Sequence, residues 1–240
     1  MKSRILIPVL MTLAVTLSAQ NRITAQRPYF CDVEGCQLSY ERTYTDNGTR
    51  RWTQTVTINE VTQDARGQII RYQSEFRNRG GGLMYGGPVQ LEARVDWDGD
   101  LVVDFGASAA AMVRGVVGKL GKIIKVNYDR VKMETPADLR PGTLLDDLST
   151  TIRVGPLLYT VTVDQRRVVG FEDIRTPAGI FHCIVTEEHK VEEGPGHKRR
   201  TYSRSWYARG IGVIRHDTYD EAMEIKESEI LQEILYPNQL

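Results

Sequence analysis

Val89, Leu91, Ala93, Val95 and Trp97 alternate without exception with Gln90, Glu92, Arg94 and Asp96. Side chains of an extended chain point alternately to its two faces, so such a segment is a strand with one dry and one wet side. The same period of two recurs along most of the chain. Trp52, Val56 and Ile58 share one face opposite Thr53, Thr55 and Thr57; Ile70, Tyr72 and Phe76 oppose Arg71, Gln73, Glu75 and Arg77. Turn signals separate these runs: Asp46-Asn47-Gly48, Arg66-Gly67, Asp98-Gly99 and Gly194-Pro195-Gly196. Alternation broken by short turns predicts an antiparallel all-β domain.

Strands are expected at 37–45, 50–62, 68–78, 89–97, 101–105, 123–134, 150–154, 157–169, 180–191, 198–207 and 213–219. The tail from Met223 to Leu235 fits a helix stripe nearly as well, and a strand is preferred because a hairpin-like break at Asp220 precedes it. One stretch changes rhythm. Ala107 to Leu120 has high helix propensity, and Gly115 and Gly118 weaken it by about 1 kcal/mol each while permitting close packing on a sheet. No repeat or linker divides residues 37–240, so they read as one domain. So many strands with one helix predict a large curved antiparallel sheet coiled around its apolar face, a half-barrel with a groove.

Lys2 and Arg4 precede a 13-residue apolar run, Ile5 to Leu17, that ends in Leu17-Ser18-Ala19. That run is shorter than the ~20 residues a membrane span needs, and residues 1–19 read as an export signal. The protein is expected in the periplasm or at the outer surface, with no transmembrane segment in the mature chain. Lys plus Arg equals Asp plus Glu, 31 against 31, which removes the global field that nucleic-acid binding exploits. In the extension 20–36, Cys31 and Cys36 flank Gly35, whose turn conformation would bring them within reach of a disulfide. Cys183 alternates with Phe181 and Val185 and reads as a small buried hydrophobe.

Gly106-Ala107-Ser108-Ala109-Ala110 nearly matches a nucleophile elbow between strand and helix. The elbow requires a parallel α/β sheet, which this pattern lacks, and Ser108 is the more economically read as a helix N-cap. Asp96, Asp98, Asp100 and Asp104 superficially resemble a calcium loop, but Gly99 and the missing glutamate break the spacing; no metal ligand set is assigned. His182, His189, His197 and His216 are dispersed, and Asp217 stands on the strand face opposite His216. Gly118-Lys119 and Gly121-Lys122 lack the rest of a phosphate loop. The basic run His197 to Arg200 reads as a charged hairpin edge, and Asn47-Gly48-Thr49 as a turn that also fits a glycosylation sequon.

Three stretches carry a resemblance: Gly35-Cys36-Gln37-Leu38-Ser39-Tyr40; Pro136 to Asp146; and Val169 to Cys183, which contains Thr176-Pro177-Ala178-Gly179-Ile180-Phe181-His182-Cys183. With Trp206-Tyr207-Ala208-Arg209-Gly210-Ile211-Gly212-Val213 following, the chain from about residue 33 to 235 is similar to the TapB-like secreted proteins of Gram-negative bacteria. The resemblance implies an antiparallel half-barrel, lipocalin-like or LolA-like, and no established catalytic residues. In many relatives a second cysteine precedes the D-G turn; Trp97 holds that place here, so a disulfide to Cys183 lacks its partner.

The expected function is non-catalytic: binding of a hydrophobic or lipid-like ligand, or a partner, on the concave face, without a cofactor. Candidate lining residues are Trp52, Tyr72, Phe76, Trp97, Phe181 and Trp206. The alternatives are a structural or assembly factor for a cell-surface appendage, using sheet edges, and a serine hydrolase built on Ser108.

Overall fold

The structure, a computed structural model, describes residues 27–45, 50–84, 87–117 and 125–237. The expected signal at 1–19, residues 20–26 of the extension, the Asn47 sequon and the Gly118 to Lys122 stretch lie outside the described residues.

Two antiparallel meanders make one sheet. The first runs through β1 (Gln37–Tyr44), β2 (Arg50–Asp64), β3 (Gly67–Arg77), β4 (Val89–Asp96) and β5 (Leu101–Asp104). The second runs through β8 (Leu148–Val154), β9 (Leu157–Thr176), β10 (Gly179–Gly194), β11 (His197–Ala208), β12 (Gly212–Tyr219) and β13 (Ile225–Leu235). Pairing of β13 with β1 welds them, and β6 (Val126–Tyr128) and β7 (Lys132–Thr135) form the two edges of a 13-stranded sheet. The tail is therefore a strand, as its preceding break indicates.

The stretch expected as one strand over 123–134 is instead two. β6 pairs with β8 and β7 with β5, at opposite ends of the sheet, although only residues 129–131 separate them. The sheet thus curls until its ends nearly meet without bonding to each other: a half-barrel, not a closed barrel. Bulges in β9, where it pairs with β10 near Val185 and Glu187, supply part of the bend. β9 also touches β13, four places along the sheet, which only a strongly coiled sheet permits.

The helix α1 (Phe105–Val117) lies across the opening and touches β4 and β7 on one side and β6 and β8 on the other. Ala109, Ala110 and Val113 pack on Val126, Ile152 and Val154. Its N-cap is Asp104, whose Oδ1 accepts the Ala107 N–H at 2.9 Å, and not Ser108, which sits within the first turn. Asp104→Ala is expected to cost about 1 kcal/mol, read as a lower midpoint in thermal unfolding.

The larger core joins Leu38, Ile58, Ile70, Ala93, Val95, Leu101 and Val103 to Cys31 and Cys36 of the entering segment. The expected Cys31–Cys36 disulfide is absent: all three cysteines are free and buried. Gly35 does take the left-handed turn, at φ 78°, so the geometry near the pair follows the sequence while the bond does not form. Both thiols are instead packed in the apolar core, and burial pushes Cys36 and Cys183 up to about 12.

Candidate functional site

Strand register defines the surface inside the curl. On β10, Thr186, Glu188 and Lys190 stand opposite Ser205, Ser203 and Thr201 of β11. A row then continues from Ser205 to His216, Glu229, Arg42 and Trp52, crossing β12, β13, β1 and β2. Val161 and Val163 of β9, opposite Glu192 and Lys190, carry this face to the helix. The interior is therefore divided: apolar beneath β1–β5 and α1, polar across β10–β13.

Two cavities reflect the division, and Ser108 is in the wall of both. One, of about 240 Å³, is lined mainly by Leu38, Tyr40, Val56, Ile58, Tyr72 and Met133. The other, of about 420 Å³, has Ala109, Val113, Val161 and Val163 on one side, and Glu188, Lys190, Arg199 and His216 on the other.

Charges in the polar half are paired, as burial demands. Arg42 Nη2 lies 2.8 Å from Glu229 and Nη1 3.5 Å from Glu227; Arg199 Nη2 is 2.8 Å from Glu227. Lys190 reaches Glu192 at 3.2 Å and Arg166 reaches Glu188 at 3.5 Å. Burial raises the Glu188 carboxyl above its ordinary value against the pull of Arg166. His216 is bonded through Nδ1 to Ser205 Oγ at 2.7 Å and through Nε2 to Thr218 Oγ1 at 3.3 Å. Burial, reinforced by Arg42 and Lys190, pushes it down to about 3, so the ring is neutral at pH 7. Beside it the Thr201 and Ser203 hydroxyls are buried without a hydrogen-bond partner. A hydroxyl so placed costs about 1–3 kcal/mol unless something bonds it.

The six candidate lining residues separate. Tyr72 lines the apolar cavity. Trp52 and Phe76 stand on the same face, ring to ring at 5.2 Å, with Arg42 4.5 Å over Trp52, but line neither cavity. Trp97 sits in the Asp98-Gly99 turn, 45% exposed, its indole donating to the Ala65 carbonyl. Phe181 and Trp206 are on the opposite face, because the odd positions of β10 pair with the even positions of β11. There Arg204 and Arg215 lie 5.3 and 5.1 Å from the Trp206 ring, whose Nε1 donates to Glu172.

Ser108 Oγ donates to the Asp104 carbonyl at 3.2 Å, and no histidine bonds it among the described residues. Three of the four aspartates serve backbone: Asp96 accepts the N–H groups of Asp98 and Asp100, Asp100 that of Ala137, and Asp104 caps the helix. No cluster able to hold a metal occurs among the described residues. The basic run is paired, Lys198 with Glu193, Arg199 with Glu227 and Arg200 with Glu221. The buried polar row itself was hidden in the sequence, since Thr, Ser and His alternating on a strand look like its solvent side.

No curated protein gives a significant match. The fold resembles two solved structures. One, from Bacteroides fragilis, is described as an inferred exported protein with a YmcC-like fold; it is 19% identical, with a TM-score of 0.70 over 87% of this chain and 99% of that one. The other, from Parabacteroides distasonis, is described as an inferred lipoprotein; it is 18% identical, with a TM-score of 0.72 over 88% of this chain and 99% of that one. Among the described residues no helix is long and apolar enough to cross a membrane. Residues 33–231 match the DUF3108-like family model, and the chain belongs to the DUF3108-like family.

Proposed function

We propose that this is an exported, non-catalytic binding protein that holds a single-chain amphiphile inside the curl of its sheet. The observation that carries the reading is the pair of cavities that share Ser108 in their walls, one mainly apolar and one lined by valines and by paired charges. An acyl chain matches the first, and an uncharged or zwitterionic head matches the second, where the charges are already matched. The larger cavity falls within the ~300–1,000 Å³ of small-molecule sites. The engagement of Ser108 with backbone supports binding over hydrolysis. Strand addition to an appendage is less favoured, because the edges β6 and β7 offer only 3 and 4 residues. Within its family we assign the chain to the TapB-like secreted proteins, on its two motifs, and to the periplasm or outer surface.

Titration with a lysophosphatidylcholine that carries a dansyl group at the end of its acyl chain tests the reading. Saturable, blue-shifted emission is expected, displaced by an unlabelled lysophospholipid. Val161→Trp, which fills the larger cavity, is expected to weaken binding at least tenfold with an unchanged circular-dichroism spectrum. No enhancement, or enhancement indifferent to Val161→Trp, overturns the proposal.

A further inference from the structure

A second concavity, of about 710 Å³, lies on the outside of the sheet, where Tyr202, His189, Arg167 and Glu187 line it. Odd positions of β10 and even positions of β11 face this way, opposite the interior row. Of the described residues, the two non-glycine positions with left-handed backbone are Gln165, at φ 53°, and Met223, at φ 61°, and both line this groove. Left-handed backbone costs an L-residue roughly 1–2 kcal/mol, and such strain gathers where a side chain is held for a ligand. Met223 is 60% exposed there, and Leu144 79%.

We infer that this groove binds a neutral saccharide. Its aromatic platform is Tyr202, 5.0 Å from the His189 ring and opposite Tyr219 in the register, offering ring faces to the C–H faces of a sugar. Planar polar groups surround it: the Gln165 amide and the Arg167, Glu187 and Arg204 side chains, with the Arg204 Nε buried and unpartnered. Such forks match vicinal hydroxyls. The guanidinium charges are matched, Arg167 by Glu187 at 3.0 Å and Arg204 by Glu172, and His189 is hydrogen-bonded to Asp164 at 2.9 Å, which favours an uncharged ligand. An extended peptide would need free backbone beside β9. That backbone is taken: Gly142 N–H donates to Val168 and Leu145 N–H to Arg166.

Calorimetric titration with maltohexaose, cellohexaose and hexa-N-acetylchitohexaose, up to about 10 mM, tests the inference. At least one is expected to bind saturably. Tyr202→Ala is expected to weaken that binding about tenfold. Gln165→Gly removes the left-handed penalty, so its melting temperature is expected to stay within about 2 °C while affinity drops severalfold. Val161→Trp is expected to leave saccharide binding unchanged, separating this site from the interior one. Failure of all three saccharides, binding of a tryptic peptide mixture in their place, or affinity indifferent to Tyr202→Ala overturns the inference.

Discussion

Gly106→Ala is expected to destabilise the protein by about 2–4 kcal/mol, a fall of roughly 5–10 °C in the thermal midpoint. A Cβ at Gly106 would stand 2.0 Å from the Asp129 carbonyl oxygen and 3.1 Å from its carbon. Both are backbone, so no side chain can swing away. Asp129 belongs to the short passage between β6 and β7, and its N–H and carbonyl are engaged by Thr151 O at 3.0 Å and Thr150 Oγ1 at 2.9 Å. Relief therefore requires lifting the helix or breaking those bonds, and each lost bond adds about 1 kcal/mol. Gly170, with open space around it and ordinary backbone, is the control, and Gly170→Ala is expected to change stability by less than about 1 kcal/mol. Equal melting of the two variants would mean that the helix is not pinned to the passage.

Stability is expected to fall as pH drops from 7 to 5, and His216 to carry most of the fall. The folded ring has its value pushed down to about 3, far below the ordinary histidine value of 6.5. Below pH 6.5 the unfolded chain therefore binds a proton that the folded protein refuses. The contribution is complete above pH 6.5 and drains away as pH falls toward 3. At pH 5 the loss is about 2 kcal/mol, or roughly 4–8 °C in melting temperature. The groups about the ring include Ser205 and Thr218, which hold it, Arg42 and Lys190, which repel its charged form, and Glu229, its partner in the register. Glu188 opposes the trend: its folded carboxyl titrates above the ordinary value, so its protonation as pH falls favours the folded state. His216→Gln is expected to flatten the dependence between pH 7 and 5, and Glu188→Gln to steepen it. Parallel profiles for wild type and His216→Gln would show that the ring is solvated and not embedded in the row.

The two residues behind these expectations were legible to different degrees. Gly106 stands out in the sequence as the first residue of a near-elbow motif, yet its purpose is the approach of Asp129, a contact that exists only because the sheet curls. Gly115 and Gly118 attract attention first because glycines inside a helix are costly, whereas the glycine that matters lies in the first turn. His216 reads as an ordinary strand histidine. Its burial follows from the row of Ser205, Glu229 and Arg42, contributed by strands far apart in the chain.

Alternation and turn chemistry alone determined most of the strands, the antiparallel pairing of neighbours, the helix and the curved sheet, because each depends largely on residues within one or two hairpins. Local pattern also sufficed for the tail, where the break at Asp220 decided between strand and helix. Only tertiary structure decided that 126–135 splits between the two edges, and that Cys31 and Cys36 stay thiols in the core. It also decided which alternating face lies inside the curl, so that Tyr72 lines the apolar cavity while Phe181 and Trp206, members of the same hydrophobic cluster, stand on the other side of the β10–β11 pair. The physical reason is that a strand's period names two faces without saying which is concave. Concavity arises from twist, bulges and the closing helix, and these act on the whole sheet at once.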